Sequence, residues 1–147
     1  MAKERSPLTR TEDDRRELIV WAVGCAERVL PLFEEASPDD PRPREALAGA
    51  MAFSRGELRI GPVRKLAVAC HAAAREAPTS AATAVARACG HATAVGHMAS
   101  HARGVPSYTH KALALAHPGD PDVLDREDAW QRANLPERFT EFVYPAG

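Results

Sequence analysis

The sequence predicts an all-α single domain, a bundle of six to seven helices joined by short loops, and three observations predict it. Apolar residues recur at three-to-four spacing in one segment after another. Proline, glycine and aspartate fall between those segments, where helices start and stop. No stretch alternates apolar and polar residues long enough to argue for a strand. The 147 residues suit one domain around one core. Hydrophobic residues make up 45% of the chain and aromatic ones only 5%, so an alanine-rich core must be closed by near approach of helices rather than by bulky side chains.

Each element has its own signals. Thr11, followed by Glu12, Asp13 and Asp14, reads as an N-cap with acidic residues where the helix dipole favours them. Leu18, Ala22, Cys25, Val29, Leu32 and Phe33 then mark one face of a first helix ending near Ala36, with Pro31 kinking its last turns. Residues 1–10 are expected to be a flexible terminus before a helical domain over 11–145. Asp40–Pro41 starts a second helix through Leu47, Met51 and Phe53, and Gly56 lies near its end. Gly61–Pro62 opens a third, with Val63, Leu66, Ala67, Cys70 and Ala74, and Pro78 closes it. Ser80 caps a fourth helix expected to run unbroken to about Arg103, with Gly104 as its stop. Pro106 begins a fifth to His117, Asp120–Pro121 a sixth through Leu124 and Trp130, and Pro136 a short last one with Phe139, Phe142 and Val143.

Composition excludes several classes. Nineteen basic residues stand against 20 acidic ones, for a net charge of −1, which gives no reason to expect direct nucleic-acid or anionic-membrane binding. Cys25, Cys70 and Cys89 are widely spaced and embedded in apolar patterns, as buried reduced thiols are. The opening MAKERSPLTR lacks the apolar segment of a signal peptide, and no apolar run is long enough to span a membrane. A cytoplasmic protein is the expectation.

Residues 90–104, GHATAVGHMASHARG, hold three of the six histidines. On a continuous helix His97 and His101 lie about 40° and 6 Å apart, whereas His91 stands about 9 Å along the axis from His97 and about 15 Å from His101. That geometry leaves His97 and His101 as the candidate functional pair. A metal held by them would be zinc or another divalent transition metal, with a third ligand from His71, Tyr108 or His110. The residues between the pair are Met-Ala-Ser, with no glutamate to act as base as in an HExxH metalloprotease. A polar helix face without any cofactor is the plainer expectation, and no residue is singled out as catalytic. The opposite face, with Val85, Cys89, Ala92, Gly96 and Ala99, is small enough for close helix packing. Trp21 and Trp130 are candidate core or interface anchors.

Several longer pieces carry a resemblance: WAVGCAERVLPLFE, DDPRPREAL, LAVACHAAAREA, GHATAVGHMASHARG, YTHKALALA and EDAWQRANLPERFTEFVYP. Together they resemble the bacterial immunity-five-like family, an all-helical domain, over about Leu18 to Pro145. The resemblance implies a small cytoplasmic immunity protein that neutralises a cognate protein toxin by binding it, in contact-dependent or polymorphic toxin systems. It carries no catalytic residues with it. The acidic first and sixth helices would suit a basic toxin. Two other readings stand beside this one: a small enzyme or metal-binding module on His97 and His101, and a homodimeric helical scaffold.

Overall fold

In the computed structural model, which describes residues 7–146, the chain is all α. Eight α-helices occur among the described residues: α1 (Glu12–Glu27), α2 (Leu30–Ala36), α3 (Arg42–Ser54), α4 (Ile60–Glu76), α5 (Ser80–Ala94), α6 (Gly104–Ala116), α7 (Pro121–Asn134) and α8 (Thr140–Val143). Short 3₁₀ helices at Ala99–Arg103 and Glu137–Phe139 precede α6 and α8. The count exceeds six to seven because Pro31 does more than kink the first helix. It sits at the start of a separate helix, α2, where a missing N–H costs nothing.

Capping chemistry sets several of the ends. Thr11 Oγ1 accepts from the Asp14 amide at 3.1 Å, and Asp120 Oδ1 accepts from Val123 at 3.4 Å. At α5 the cap is Thr79, one residue earlier than expected, its hydroxyl accepting from Ala82 at 3.1 Å. Asp40 Oδ1 accepts from the Arg42 amide at 3.1 Å at the head of α3.

The middle helix is α5. It packs against α1, α2, α3, α4 and α6, and Ala84, Val85, Ala88, Cys89 and Ala92 are all buried along it. Small side chains bring the neighbouring backbones close, and bulk comes from outside: Phe33, Phe53, Phe139, Leu18 and Ile19 are fully buried. The three cysteines are buried and unpaired, and burial pushes the Cys70 thiol up to about 12. Polar contacts fasten α7 to the rest. Trp21 is buried and donates from Nε1 to the Gln131 carbonyl at 2.7 Å. Gln131 Nε2 donates to Thr109 Oγ1 at 2.8 Å, and the Arg28 guanidinium donates from Nε to Glu127 at 2.8 Å.

The unbroken helix from Ser80 to Arg103 is the main expectation that the structure corrects. Helix α5 stops at Ala94, Met98 is extended, and the 3₁₀ segment begins at Ala99. The reason lies in where the backbone groups go. A continuous helix would bond the Ser100 amide to the Gly96 carbonyl. Here the Gly96 carbonyl accepts from Arg15 Nε at 2.9 Å, and the Ser100 amide donates to the Leu8 carbonyl at 3.0 Å. The Ala99 amide donates to Thr9 at 3.2 Å. Gly96 also leaves room for α4, since a Cβ there would meet Val63 Cγ1 at 2.8 Å. Gly104 is accordingly not a helix stop: its φ is −76°, and it begins α6. Of the terminus expected to be flexible, residues 1–6 lie outside the described residues, and Leu8 and Thr9 are held by these two bonds.

Arg15 is 1% exposed, and its Nη1 also donates to the Arg10 carbonyl at 2.8 Å. Replacing it with methionine keeps most of the stem and removes the donors, leaving a buried carbonyl unsatisfied. Arg15→Met is expected to lower unfolding free energy by about 2–4 kcal/mol in urea titrations. Arg44→Met, which removes an exposed, solvent-screened ion pair with Glu34, is expected to leave the unfolding free energy nearly unchanged. Equal losses would contradict the clamp.

Candidate functional site

The break after α5 changes which histidines meet. The 3₁₀ segment turns back along α5, so the Nδ1 atoms of His101 and His91 are 3.3 Å apart. Their ring centroids are separated by 5.4 Å, where a continuous helix would hold the residues about 15 Å apart along its axis. His97 also meets His101, with centroids 5.1 Å apart. On its other side His91 contacts His71 of α4, centroids 5.5 Å apart and nearly perpendicular. Tyr108 of α6 stacks on His91 at 5.2 Å and 16°. The result is a row of four imidazoles, His97–His101–His91–His71, between α4, α5 and α6.

Two glycines make room for it. A Cβ on Gly104 would lie 2.8 Å from Cγ and Nδ1 of His91. A Cβ on Gly90 would lie 2.8 Å from Cε1 and Nε2 of His71. Both positions are close approaches of ring to backbone, where any Cβ would force the ring to shift.

Hydrogen bonding fixes part of the protonation. Arg87 Nη1 lies 2.7 Å from His71 Nδ1. Guanidinium only donates, so Nδ1 of His71 accepts and a neutral ring carries its proton on Nε2. Between His91 and His101, one Nδ1 donates and the other accepts, so the two neutral rings take opposite tautomers. Nδ1 of His97 is buried and has no hydrogen-bond partner among the described residues.

Burial is the first cause that lowers all four imidazoles. His91 falls furthest, to about 4, through burial and then the charges of His101, His71 and Arg87. His71 is lowered by burial and then by Arg87, His101 and Arg75. His97 is lowered by burial and then by His101, Arg64 and Arg15, and His101 by burial. The row is therefore neutral at pH 7.

The other expected partners lie apart from the row. His110 Nδ1 donates to the Pro106 carbonyl at 2.6 Å, and its Nε2 is 3.7 Å from Asp128, so it faces α7. Trp21 is an internal anchor. Trp130 is half-buried beneath the Arg28 guanidinium, which lies 4.1 Å from its ring centroid. Both tryptophans line a groove of about 370 Å³ with Val20, Gly24 and Pro136. Among the described residues, no three His, Cys, Asp or Glu side chains are placed to hold a metal ion.

Charge around the row is the feature that overall composition conceals. Residues 58–119 hold all six histidines and seven Arg and Lys against the single Glu76, while the rest of the chain holds 12 Arg and Lys against 19 Asp and Glu. Among the described residues none of those seven (Arg59, Arg64, Lys65, Arg75, Arg87, Arg103, Lys111) has a carboxylate within ion-pair distance. Glu76 is taken by Arg42 of α3 at 2.5 Å. Elsewhere most of the described arginines are paired, among them Arg16 with Glu12, Arg28 with Glu127, Arg44 with Glu34 and Arg138 with Asp14. Beside the row, Arg87, Tyr108 and Lys111 line a cleft of about 370 Å³ with Ser80, Thr83, Ala84 and Leu115. A running charge count along the sequence is the signal that finds this basic segment.

The two glycines are expected to respond differently to alanine. Gly104→Ala presses on the base of the His91 ring, which Tyr108, His101 and His71 also contact, and should cost about 1–3 kcal/mol. Gly90→Ala meets only the outer edge of the half-buried His71 ring and gains about 1 kcal/mol of helix propensity, so its net effect should stay within about 1 kcal/mol. Thermal unfolding of the two variants checks the order.

Acid should destabilise the fold. Unfolded histidines take up protons near pH 6.5, while the folded row resists until lower pH, so the unfolded chain binds more protons and stability falls with falling pH. The window runs from about 6.5 down to about 4, where His91 titrates in the fold. Denaturant titrations between pH 7.5 and 5 should show this decline, with a shallower slope for His91→Gln. Constant stability across that range would contradict the buried neutral row.

Comparison with known proteins places the chain. No curated protein and no solved structure matches it. A family model described as Imm-5 like putative immunity protein matches residues 8–138, a span that runs from the Leu8 carbonyl holding the α5 break to the Arg138 side chain on Asp14. The chain belongs to that family.

Proposed function

We propose that this protein is a bacterial immunity protein that neutralises a cognate toxin by binding it directly, in the cytoplasm of the cell that makes both. Membership of the immunity family across residues 8–138 carries the reading. The chemistry of the fold agrees with a binding role. The three thiols are buried and their pKa values are pushed up by burial, the reverse of what activates a cysteine nucleophile. The four clustered imidazoles face one another, Arg87 and Tyr108 rather than a carboxylate that would orient a general base. Among the described residues no helix is long and apolar enough to cross a membrane, in keeping with a partner met in solution.

The metal or catalytic reading keeps one observation in its favour, the contact of His97 with His101. It lacks a third ligand from His110, which is turned to α7.

The test is co-expression with the polypeptide encoded beside this gene. The expected outcome is rescue of cells from that polypeptide's toxicity and co-elution of the pair by size exclusion. Rescue without any complex, or a complex without rescue, would count against neutralisation by binding. Metal analysis of untagged protein addresses the other reading, which requires close to one equivalent of a transition metal.

A further inference from the structure

We infer that the face built by α4, the 3₁₀ segment and α6 around the imidazole row is the docking surface, and that its occupant is an acidic patch on the protein partner. This rests on the binding role proposed above and names the surface and its chemistry. It differs from the expectation, drawn from the acidic first and sixth helices, that the partner is basic.

The row has a cation at each end. Arg64 lies close enough to His97, and Arg75 and Arg87 to His71, for their charges to act on the rings. Lys111 shares the adjoining cleft with Arg87 and Tyr108. Arg64, Arg75 and Lys111 are exposed, and none of them has a carboxylate partner in the described residues. Among the described residues this face has no acid to answer it, because Glu76 is engaged by Arg42. Unanswered charge of one sign, gathered on neighbouring elements, is complementary to a surface of the opposite sign. The side chains also suit a protein interface, since tyrosine and arginine are enriched where binding energy concentrates.

The make-up of the row points the same way. Four imidazoles are held partly buried with cations at their ends, and two glycines leave room for them. A polar cluster of this kind, set between helices rather than in the apolar core, is typical of a site. A protein partner fits better than nucleic acid. The chain is acidic outside this segment and carries a net charge of −1, so a long uniform polyanion would be repelled along most of its length. A folded partner can present a local acidic patch.

The experiment uses the full-length protein, a labelled polyglutamate peptide and a duplex DNA as probes, with binding read by fluorescence anisotropy at low and physiological ionic strength. The variants are R64E/R75E/K111E on the face and, as control, E35K/D125K on exposed acids elsewhere. Circular dichroism and thermal unfolding confirm that each variant is folded. The expected result is salt-sensitive binding of polyglutamate that weakens by about tenfold or more in the triple variant and is unchanged or tighter in the control. No binding of polyglutamate at low salt, or equal binding by the triple variant, would overturn the proposal. Tighter binding of the DNA at physiological ionic strength would overturn the assignment to a protein partner. These outcomes are independent of the co-expression test, which can fail while the basic face still binds the acidic peptide. Where the co-expressed pair does form, the triple variant should lose the complex and the control should keep it.

Discussion

The bond from Arg15 to the Gly96 carbonyl governs more of this molecule than any other single contact. It takes a backbone acceptor out of the helical ladder at the position where α5 would otherwise continue. The Ser100 amide that would have used that acceptor is taken in turn by Leu8. Two segments far away in sequence thus share the two halves of one broken helical bond. Because a buried carbonyl must have a donor, the exchange is stable only while Arg15 is in place. Everything beyond depends on it: the return of the 3₁₀ segment along α5, the meeting of His101 with His91, and the position of α6 with Tyr108.

This bears on the energetic character of the core. Alanine and glycine let α4, α5 and α6 lie close, and closeness leaves little apolar surface per residue to stabilise the fold. The aromatic side chains that supply bulk come from α2, α3 and the C-terminal segment, and polar bonds such as Trp21 to Gln131 fasten α7. Stability is therefore spread over many specific contacts around a lean centre. The imidazole row occupies a seam between α4, α5 and α6.

How much of this was legible in the residues follows from the range of the interactions. Helix starts set by local chemistry read well: Thr11, Asp120 and the prolines act within a few positions, so local rules find them. The close-packed face of α5 was legible as well, because periodicity reports which side is small. The helix break was not. Residues 95–98 contain no proline, and nothing nearby announces that a carbonyl there will be claimed by an arginine 81 positions away. Helical geometry applied to an unbroken helix then separated His91 from His101. The basic segment was open to view but hidden by a balanced total, since 19 positive and 20 negative residues cancel in any whole-chain sum.

That uneven placement of charge sets a basic segment against an acidic remainder, a separation that the net charge of −1 conceals. A nearly neutral protein is usually indifferent to its orientation during a diffusional encounter. Here the field of a charged neighbour exerts a torque, turning the histidine-bearing helices toward negative potential and the remaining helices away from it before any atoms touch. Orientation in advance of contact raises the fraction of collisions that are productive. In the proposed binding role, that alignment acts on the rate of capture separately from the strength of the final complex.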